Sequence, residues 1–462
     1  MTKRYYINNC CRALCMAFMA GSLMACNDYE LTTTPYEEGE ALPQAPTPPT
    51  LSPEWELEPL TNVGQHQTNI FVYKDKLYDK LFTRDLGWNG GDGVFTTLLP
   101  DGNVFWSFND SFYGVVGEQR ARGNCSFPRN SLMIQTPGPD GKPGTTDENL
   151  IWLADYVQTD DPNGERYYQA RTHLRHPNGE KTDAEIEAGD IDQQWLYWAG
   201  DATVTDDGQL QVLWGGVYNG TENLMQRNGT ALATYSLEGT PHQGKPQPGE
   251  YMSFASDVKH DFRTGDMDYG STLWEDEDGH IYLYGTRNYT VYVARTTQPH
   301  TLDCEWEYCY RELDNTIAWK KEPLTDEEMA YSSIVSAGVL GSLPWVIKDG
   351  DTYYMFMQTI YFGHAMQILR SDTPYGPFTD CQTLFVFPET IDKIGNQYYQ
   401  NLYMINLHPA LSREGELVFS TNTDTSNFWD NFNKPGSADY YRPYFFRVYN
   451  WKSIYETDST EE

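Results

Sequence analysis

The feature that most constrains this chain is a hairpin that it repeats five times. Each copy is an apolar-rich strand, a turn holding an acidic residue followed by glycine, and a strand rich in aromatic and β-branched side chains. The clearest copy reads Val94-Phe95-Thr96-Thr97-Leu98-Leu99, then Asp101-Gly102, then Val104-Phe105-Trp106-Ser107-Phe108. The others turn at Asp207-Gly208, Asp278-Gly279, Asp349-Gly350 and Glu414-Gly415. In the fifth copy the leading strand is read at Pro409-Ala410-Leu411. Glycine suits each turn because such turns require a positive φ. The last three intervals between turn glycines are 71, 71 and 65 residues, the length of one four-stranded sheet with its loops. The first interval is longer because of an insertion around 137–195 rich in Gly, Pro and Asp. The expected fold is therefore all-β, a five-bladed β-propeller. Residues 440–451 alternate and are expected as an outer strand of the last blade, and residues 68–73 as the strand that closes the ring.

The N-terminus reads differently. Lys3, Arg4 and Arg12 accompany an apolar stretch at 13–25, too short for the ~18 apolar residues of a membrane span. It ends in Leu23-Met24-Ala25-Cys26, which resembles a bacterial lipobox. The expectation is a lipoprotein signal peptide at 1–25, a lipid on Cys26, and a tether at 26–60 carrying Pro35, Pro43, Pro46, Pro48, Pro49 and Pro53. Residues 61–462 then form the propeller domain. The lipid, not a span, would hold the protein at the outer membrane, facing the periplasm or the cell exterior.

The formal net charge of −34 repels nucleic acid and other polyanions at long range but not a neutral polymer. The 34 tyrosines and 13 tryptophans suit packed sheets first and stacking on sugars second. Beyond Cys26 the cysteines are Cys125, Cys304, Cys309 and Cys381, with no zinc-site spacing. A Cys304–Cys309 bridge and four free thiols stand as equal alternatives. No cofactor is expected. A structural calcium in the channel is compatible with the acids, though no contiguous calcium loop is present.

If Asp101-Gly102 is the first turn, Asp92 falls opposite Ser111 and beside Asp110. Paired strands lie ~4.8 Å apart, so the two carboxyls share one end of the propeller, and like charges so close raise at least one pKa. One acid to protonate a leaving oxygen and one base to activate water is the equipment of a glycosidase. The same counting brings Asp201, Asp266, Asp268, Arg287, Asn288, Gln358, Tyr361, His364, Asn406, His408 and Asn422 to that face, with Asn422 opposite Asn406. The plainer role for any one of them is to cap backbone groups at a turn.

Gly91-Asp92-Gly93, Trp106-Ser107-Phe108-Asn109-Asp110-Ser111-Phe112-Tyr113-Gly114, Arg129-Asn130-Ser131-Leu132, and His408-Pro409-Ala410-Leu411-Ser412 before Phe419-Ser420-Thr421-Asn422 resemble a family of five-bladed propeller proteins. It includes the endo-D-arabinanase type of glycoside hydrolase and many Bacteroidetes lipoproteins. The resemblance covers most of 65–450, with its sharp motifs in the first and last blades. Members usually show Gly-Asp-Thr-Phe where this chain has Asn109-Asp110-Ser111-Phe112. The resemblance implies catalytic roles for Asp92 and Asp110. The expected function is a glycoside hydrolase acting on an extracellular polysaccharide with inversion. Asp92 and Asp110 would form the acid/base pair, with Asp201 tuning a pKa or holding a sugar hydroxyl. Asp268, Arg287, His408 and Asn422 would hold substrate. The alternative is a non-catalytic glycan-binding lipoprotein on the same scaffold, which does not need both acids. A polysaccharide lyase fits less well, because several acids would face its uronates.

Overall fold

The computed structural model describes residues 47–60, 69–154, 169–182, 184–185, 194–220, 225–237, 255–265, 267–312, 316–387, 393–394, 397–398, 401–425 and 427–456. The signal peptide, Cys26, most of the tether and Asp266 lie outside them. No helix among the described residues is long and apolar enough to cross a membrane.

The fold is an all-β, five-bladed propeller. Blade 1 is Phe95–Leu98, Val104–Phe108, Ser131–Gln135 and Leu150–Leu153, so its fourth strand comes from the insertion. Blade 2 is Trp195–Val204, Gln209–Tyr218, Gln226–Ser236 and Ala255–Arg263. Blade 3 starts with Thr272–Glu275 and Ile281–Arg287, and blade 4 with Ser342–Asp349 and Thr352–Gln358. Blade 5 runs outward from Asn401–Leu407 through Glu416–Asp424 and Pro443–Tyr449, and then takes Phe71–Asp75 from the N-terminal side. Phe71 pairs with Tyr449 and Lys74 with Phe446, which closes the ring. All five turn glycines have positive φ, between 61° and 83°, each between the inner two strands of its blade.

Three expectations are corrected. Pro443–Tyr449 is the third strand of blade 5, not an outer one, and is buried along its whole length because Phe71–Asp75 covers it. Pro409–Leu411 is a 3-10 turn rather than a strand. Proline lacks the N–H a ladder needs, and the inner strand lies earlier. The folded body also begins before residue 61. Leu57–Pro59 pairs with Phe71–Asp75 from outside, and the Arg413 guanidinium lies 3.7 Å from the Trp55 ring centre. Cys125, Cys304, Cys309 and Cys381 are all free thiols.

Aromatic and aliphatic side chains from blades 1, 2, 4 and 5 share one apolar cluster, including Phe95, Trp214, Trp345 and Phe419. Polar staples join every successive pair of blades. Asn130 Nδ2 donates to Tyr197 O at 3.0 Å. Leu273 N donates to Asp201 Oδ2 at 3.0 Å. Thr272 Oγ1 donates to Pro344 O at 2.6 Å, and Trp345 Nε1 to Asn406 Oδ1 at 3.3 Å. The ring ends with His408, whose Nδ1 lies 3.0 Å from Thr96 Oγ1 of blade 1 and whose Nε2 lies 2.8 Å from Ser420 Oγ.

His408 is fully buried, and burial pushes its imidazole down to about 3 from the ordinary 6.5. The unfolded chain therefore takes up a proton near pH 6.5 that the fold refuses. Stability owed to His408 is complete above 6.5 and is lost as pH falls toward 3. In a comparison of the parent with His408→Gln, the stability difference should shrink by up to ~1.4 kcal/mol per pH unit below 6.5. Urea unfolding at pH 7, 6 and 5 measures it. Comparing the two proteins cancels Asp79, Asp92 and Asp201, whose raised pKa values act in the opposite sense. A difference that stays constant with pH would contradict a neutral staple.

Candidate active site

The first hairpin continues past blade 1. Leu86–Gly91 and Ser111–Val115 pair as an extension sheet with Asn124–Ser126. Where the chain passes from one sheet to the other, Asp92 and Asp110 face each other. Phe95 pairs with Ser107 and Leu98 with Val104, one position from the expected register. Asp92 therefore lies opposite Asp110 itself, and its N–H donates to Asp110 O at 3.1 Å. Gly93 fits here for two reasons. Its φ is +57°, and a Cβ would stand 2.0 Å from Asn109 Nδ2.

Both carboxyls are buried, with exposures of 7% and 4%. Tyr403 and Tyr441 each donate a hydroxyl to Asp92 Oδ2 at 2.9 Å. Asp92 Oδ1 is buried and has no partner among the described residues. Burial, then the charge of Asp110, pushes Asp92 up to about 8 against the lowering effect of the two tyrosines. Asp110 is held by Arg129, whose Nε stands 2.9 Å from Oδ1 and whose Nη2 donates to Oδ2 at 3.0 Å. Trp198 Nε1 donates to Oδ1 at 3.1 Å. Burial still outweighs these contacts, so Asp110 too sits above the usual carboxylate range. Of the two, Asp92 holds its proton more firmly, because Arg129 and Trp198 favour the charged form of Asp110.

All five blades or their connections reach this end. Blade 2 supplies Trp198 and Arg227, whose guanidinium lies 5.6 Å from the Trp198 ring centre. Asp268 enters from the connection before blade 3, and burial raises its carboxyl above the usual range against the lowering effect of Arg227. From the loop after the second strand of blade 4 comes Tyr361. The residue is 44% exposed, and its hydroxyl is raised by burial and then by the charges of Asp92, Asp424 and Asp110. Blade 5 adds Tyr403 and Asp424, and the chain between its second and third strands adds Tyr441.

The other expected site residues lie elsewhere or act on the backbone. Asp201 accepts from Ala202 N and Leu273 N, and lines a separate axial cavity of about 370 Å³ with Thr96, Thr203, Glu275 and Trp345. Its Oδ2 makes the blade 2–3 staple and its Oδ1 accepts within blade 2, and burial raises it to about 7 against those two hydrogen bonds. His408 is the blade 5–1 staple. Asn422 is fully buried and donates to Gly91 O at 2.7 Å, so it fixes the residue before Asp92 instead of meeting substrate. It lies opposite Tyr403, not Asn406, because the strand bulges between Tyr403 and Asn406. Arg287 pairs with Asp326 at 2.6 Å in a different cavity, with Arg263 and Met329. Asp268 is fixed by Thr286 N at 2.5 Å but remains on the rim of the site beside Trp198 and Arg227. Counting along hairpins missed Trp198, Arg227, Tyr403, Asp424 and Tyr441, and gave Arg129 no role.

Residues 75–451 match the family described as a domain of unknown function, DUF5005. No protein of curated function matches the chain. A crystal structure of a candidate hydrolase from Bacteroides ovatus is 56% identical, with a TM-score of 0.81 over 89% of this chain and 98% of that one. Two more distant structures are a GH43_1 enzyme from Xanthomonas citri complexed with xylose and an exo-β-1,3-galactanase from Phanerochaete chrysosporium with β-1,3-galactotriose. The first is 13% identical, with a TM-score of 0.37 over 80% and 87% of the two chains. The second is 8% identical, with a TM-score of 0.38 over 78% and 60%. Likeness at that distance carries no argument about this chain.

Proposed function

The chain belongs to the DUF5005 family, whose description names no activity, and from the site itself we propose a glycoside hydrolase that acts on an extracellular polysaccharide. One observation carries the reading. Asp92 is a carboxyl that keeps its proton near neutral pH, with one oxygen unpartnered, beside a second carboxyl of the same buried pair. A group that is protonated at working pH and has a free oxygen is what protonation of a glycosidic oxygen requires. Asp92 is assigned as the general acid. Asp110 is assigned as its charged partner and the base for water, through the lone pair on Oδ2 that Arg129 leaves free. Inversion is the course that the family resemblance implies, with water entering between base and sugar. The hydrolase name of the Bacteroides ovatus relative agrees with this reading.

The test is turnover on a panel of arabinan, xylan, galactan, mannan and glucan across pH. Activity should fall as pH rises through about 8, where Asp92 gives up its proton. Activity that rises through that range would contradict Asp92 as the acid.

The N-terminal reading adds a location. Cys26 is proposed to carry the lipid that holds the protein at the outer membrane. Cys26→Ala should move the protein from the membrane fraction to the soluble fraction with the fold intact. A Cys26→Ala protein that still pellets with membranes would remove the anchor.

A further inference from the structure

Large apolar rings at a surface cost free energy unless something covers them. Two such places connect to Asp92 through touching rings. Tyr361 and Phe362 are 44% and 43% exposed, and their ring centres lie 5.4 and 5.6 Å from that of Tyr403. Tyr403 lies 6.4 Å from Tyr441, Tyr441 lies 5.8 Å from Phe428, and Phe428 lies 5.7 Å from Trp429, which is 62% exposed. The two rings in the middle of this row are the ones whose hydroxyls bind Asp92. The row is thus buried over the acid and open at both ends.

The chain spends structure on holding the first platform open. Phe362 takes φ +64°, a left-handed conformation that costs a non-glycine residue free energy. Gln358 Nε2 pins the loop by donating to Gly363 O at 2.6 Å and to Leu402 O at 3.1 Å. Gly363 N closes the turn onto Ile360 O at 2.8 Å.

We propose that Phe362 with Tyr361, and Trp429, are two sugar-stacking platforms flanking the Asp92 acid, so that the substrate is a neutral glycan chain cut internally. The occupant follows from the chemistry. Neither platform carries a charge, the chain as a whole is at −34, and a polyanion would be repelled. The C–H face of a neutral sugar packs on an aromatic ring while its hydroxyls stay in water. Platforms on both sides of one acid bind sugars on both sides of the cleaved bond. A site for terminal units needs only one.

The inference rests on Asp92 as the acid, and the experiment separates the two. Affinity electrophoresis is run in gels cast with linear arabinan, xylan, galactan, mannan or glucan, with Asp92→Asn as the parent to prevent digestion. The parent should be retarded in at least one gel, and Phe362→Ala and Trp429→Ala should each weaken that affinity roughly tenfold. Both side chains are largely exposed, so unchanged melting temperatures confirm intact folds. In the active protein the same changes should raise KM on the polymer, and early products should be mixed oligosaccharides. No retardation in any gel, or variants that bind like the parent, overturns the platforms. Retardation lost in the variants, without hydrolysis by the active protein, keeps the platforms and rejects the hydrolase. Monomers as the sole early product overturn internal cleavage.

Discussion

Asp92→Asn is expected to lower turnover by roughly two to four orders of magnitude, the usual share of a general acid, with glycan affinity nearly unchanged. The amide keeps the shape of the carboxyl. Its oxygen can accept from Tyr403 and Tyr441, and its nitrogen takes the place of the unpartnered Oδ1. What is lost is the transferable proton. The variant should fold at least as well as the parent at alkaline pH. The carboxyl of Asp92 has a folded pKa above its ordinary 3.8, so its contribution to stability is present at low pH and is lost as pH rises through about 8. The amide does not titrate and removes that loss. Asp110→Asn is a different experiment. It leaves the Arg129 guanidinium buried without its counter-ion, which destabilises the fold. It also removes the charge that raises Asp92, so any residual activity should lose its alkaline limb at lower pH than the parent. Turnover within threefold of the parent in Asp92→Asn would leave the glycan-binding protein as the better account.

The largest loss of stability should come from Arg447→Met, roughly 3–5 kcal/mol by urea unfolding. Arg447 is 2% exposed and lies between two acids from distant parts of the chain. Its Nε donates to Asp75 Oδ2 at 2.6 Å, and its Nη1 donates to Glu416. Asp75 sits on the strand that closes the ring, and its other oxygen caps the helix Lys76–Leu81 by accepting from Tyr78 N at 3.0 Å. Glu416 begins the second strand of blade 5 and also accepts from the Tyr449 hydroxyl. Removing the cation takes the ion-pair partner from Asp75 and leaves Glu416 with Arg413 alone, whose Nη1 stands 3.6 Å from Oε2. Adding Asp75→Asn and Glu416→Gln should therefore recover part of the loss, since the penalty comes from unpaired charge more than from missing contacts. A loss under 1 kcal/mol, or no recovery in the triple variant, would show that the triad does not hold the ring.

The two outcomes follow from different kinds of sequence information. The five blades were legible because each inner hairpin needs a positive φ that glycine supplies without strain, so the period is written in one residue type. The closing strand was read at 68–73, which overlaps the observed Phe71–Asp75. The acid pair was legible because Asp92 and Asp110 lie on one hairpin, where counting from the turn nearly suffices; the one-position error still left them adjacent. The partners of that pair were not legible. Tyr403 and Tyr441 reach Asp92 across 311 and 349 residues, and no local pattern links them. The contacts that Asp201, His408 and Asn422 make were not legible, for a single reason. Polar residues on the inner strands can serve either substrate or the neighbouring blade, and only the packing shows that these three are taken up by backbone and blade contacts. The bulge at Met404, with φ +54°, then displaced the counting in blade 5.

The closure of blade 5 by Phe71–Asp75 also sets an order of events in time. That strand is made before the four blades that separate it in sequence from its partner Pro443–Tyr449. Until that partner is made it has only Leu57–Pro59 to pair with, and four blades can form while the fifth waits with an open edge. Contacts of such long sequence separation slow folding, and an unpaired edge invites other chains. A chain that stops short of residue 443 keeps the staples between its blades but loses the strand that carries Phe71–Asp75 into blade 5.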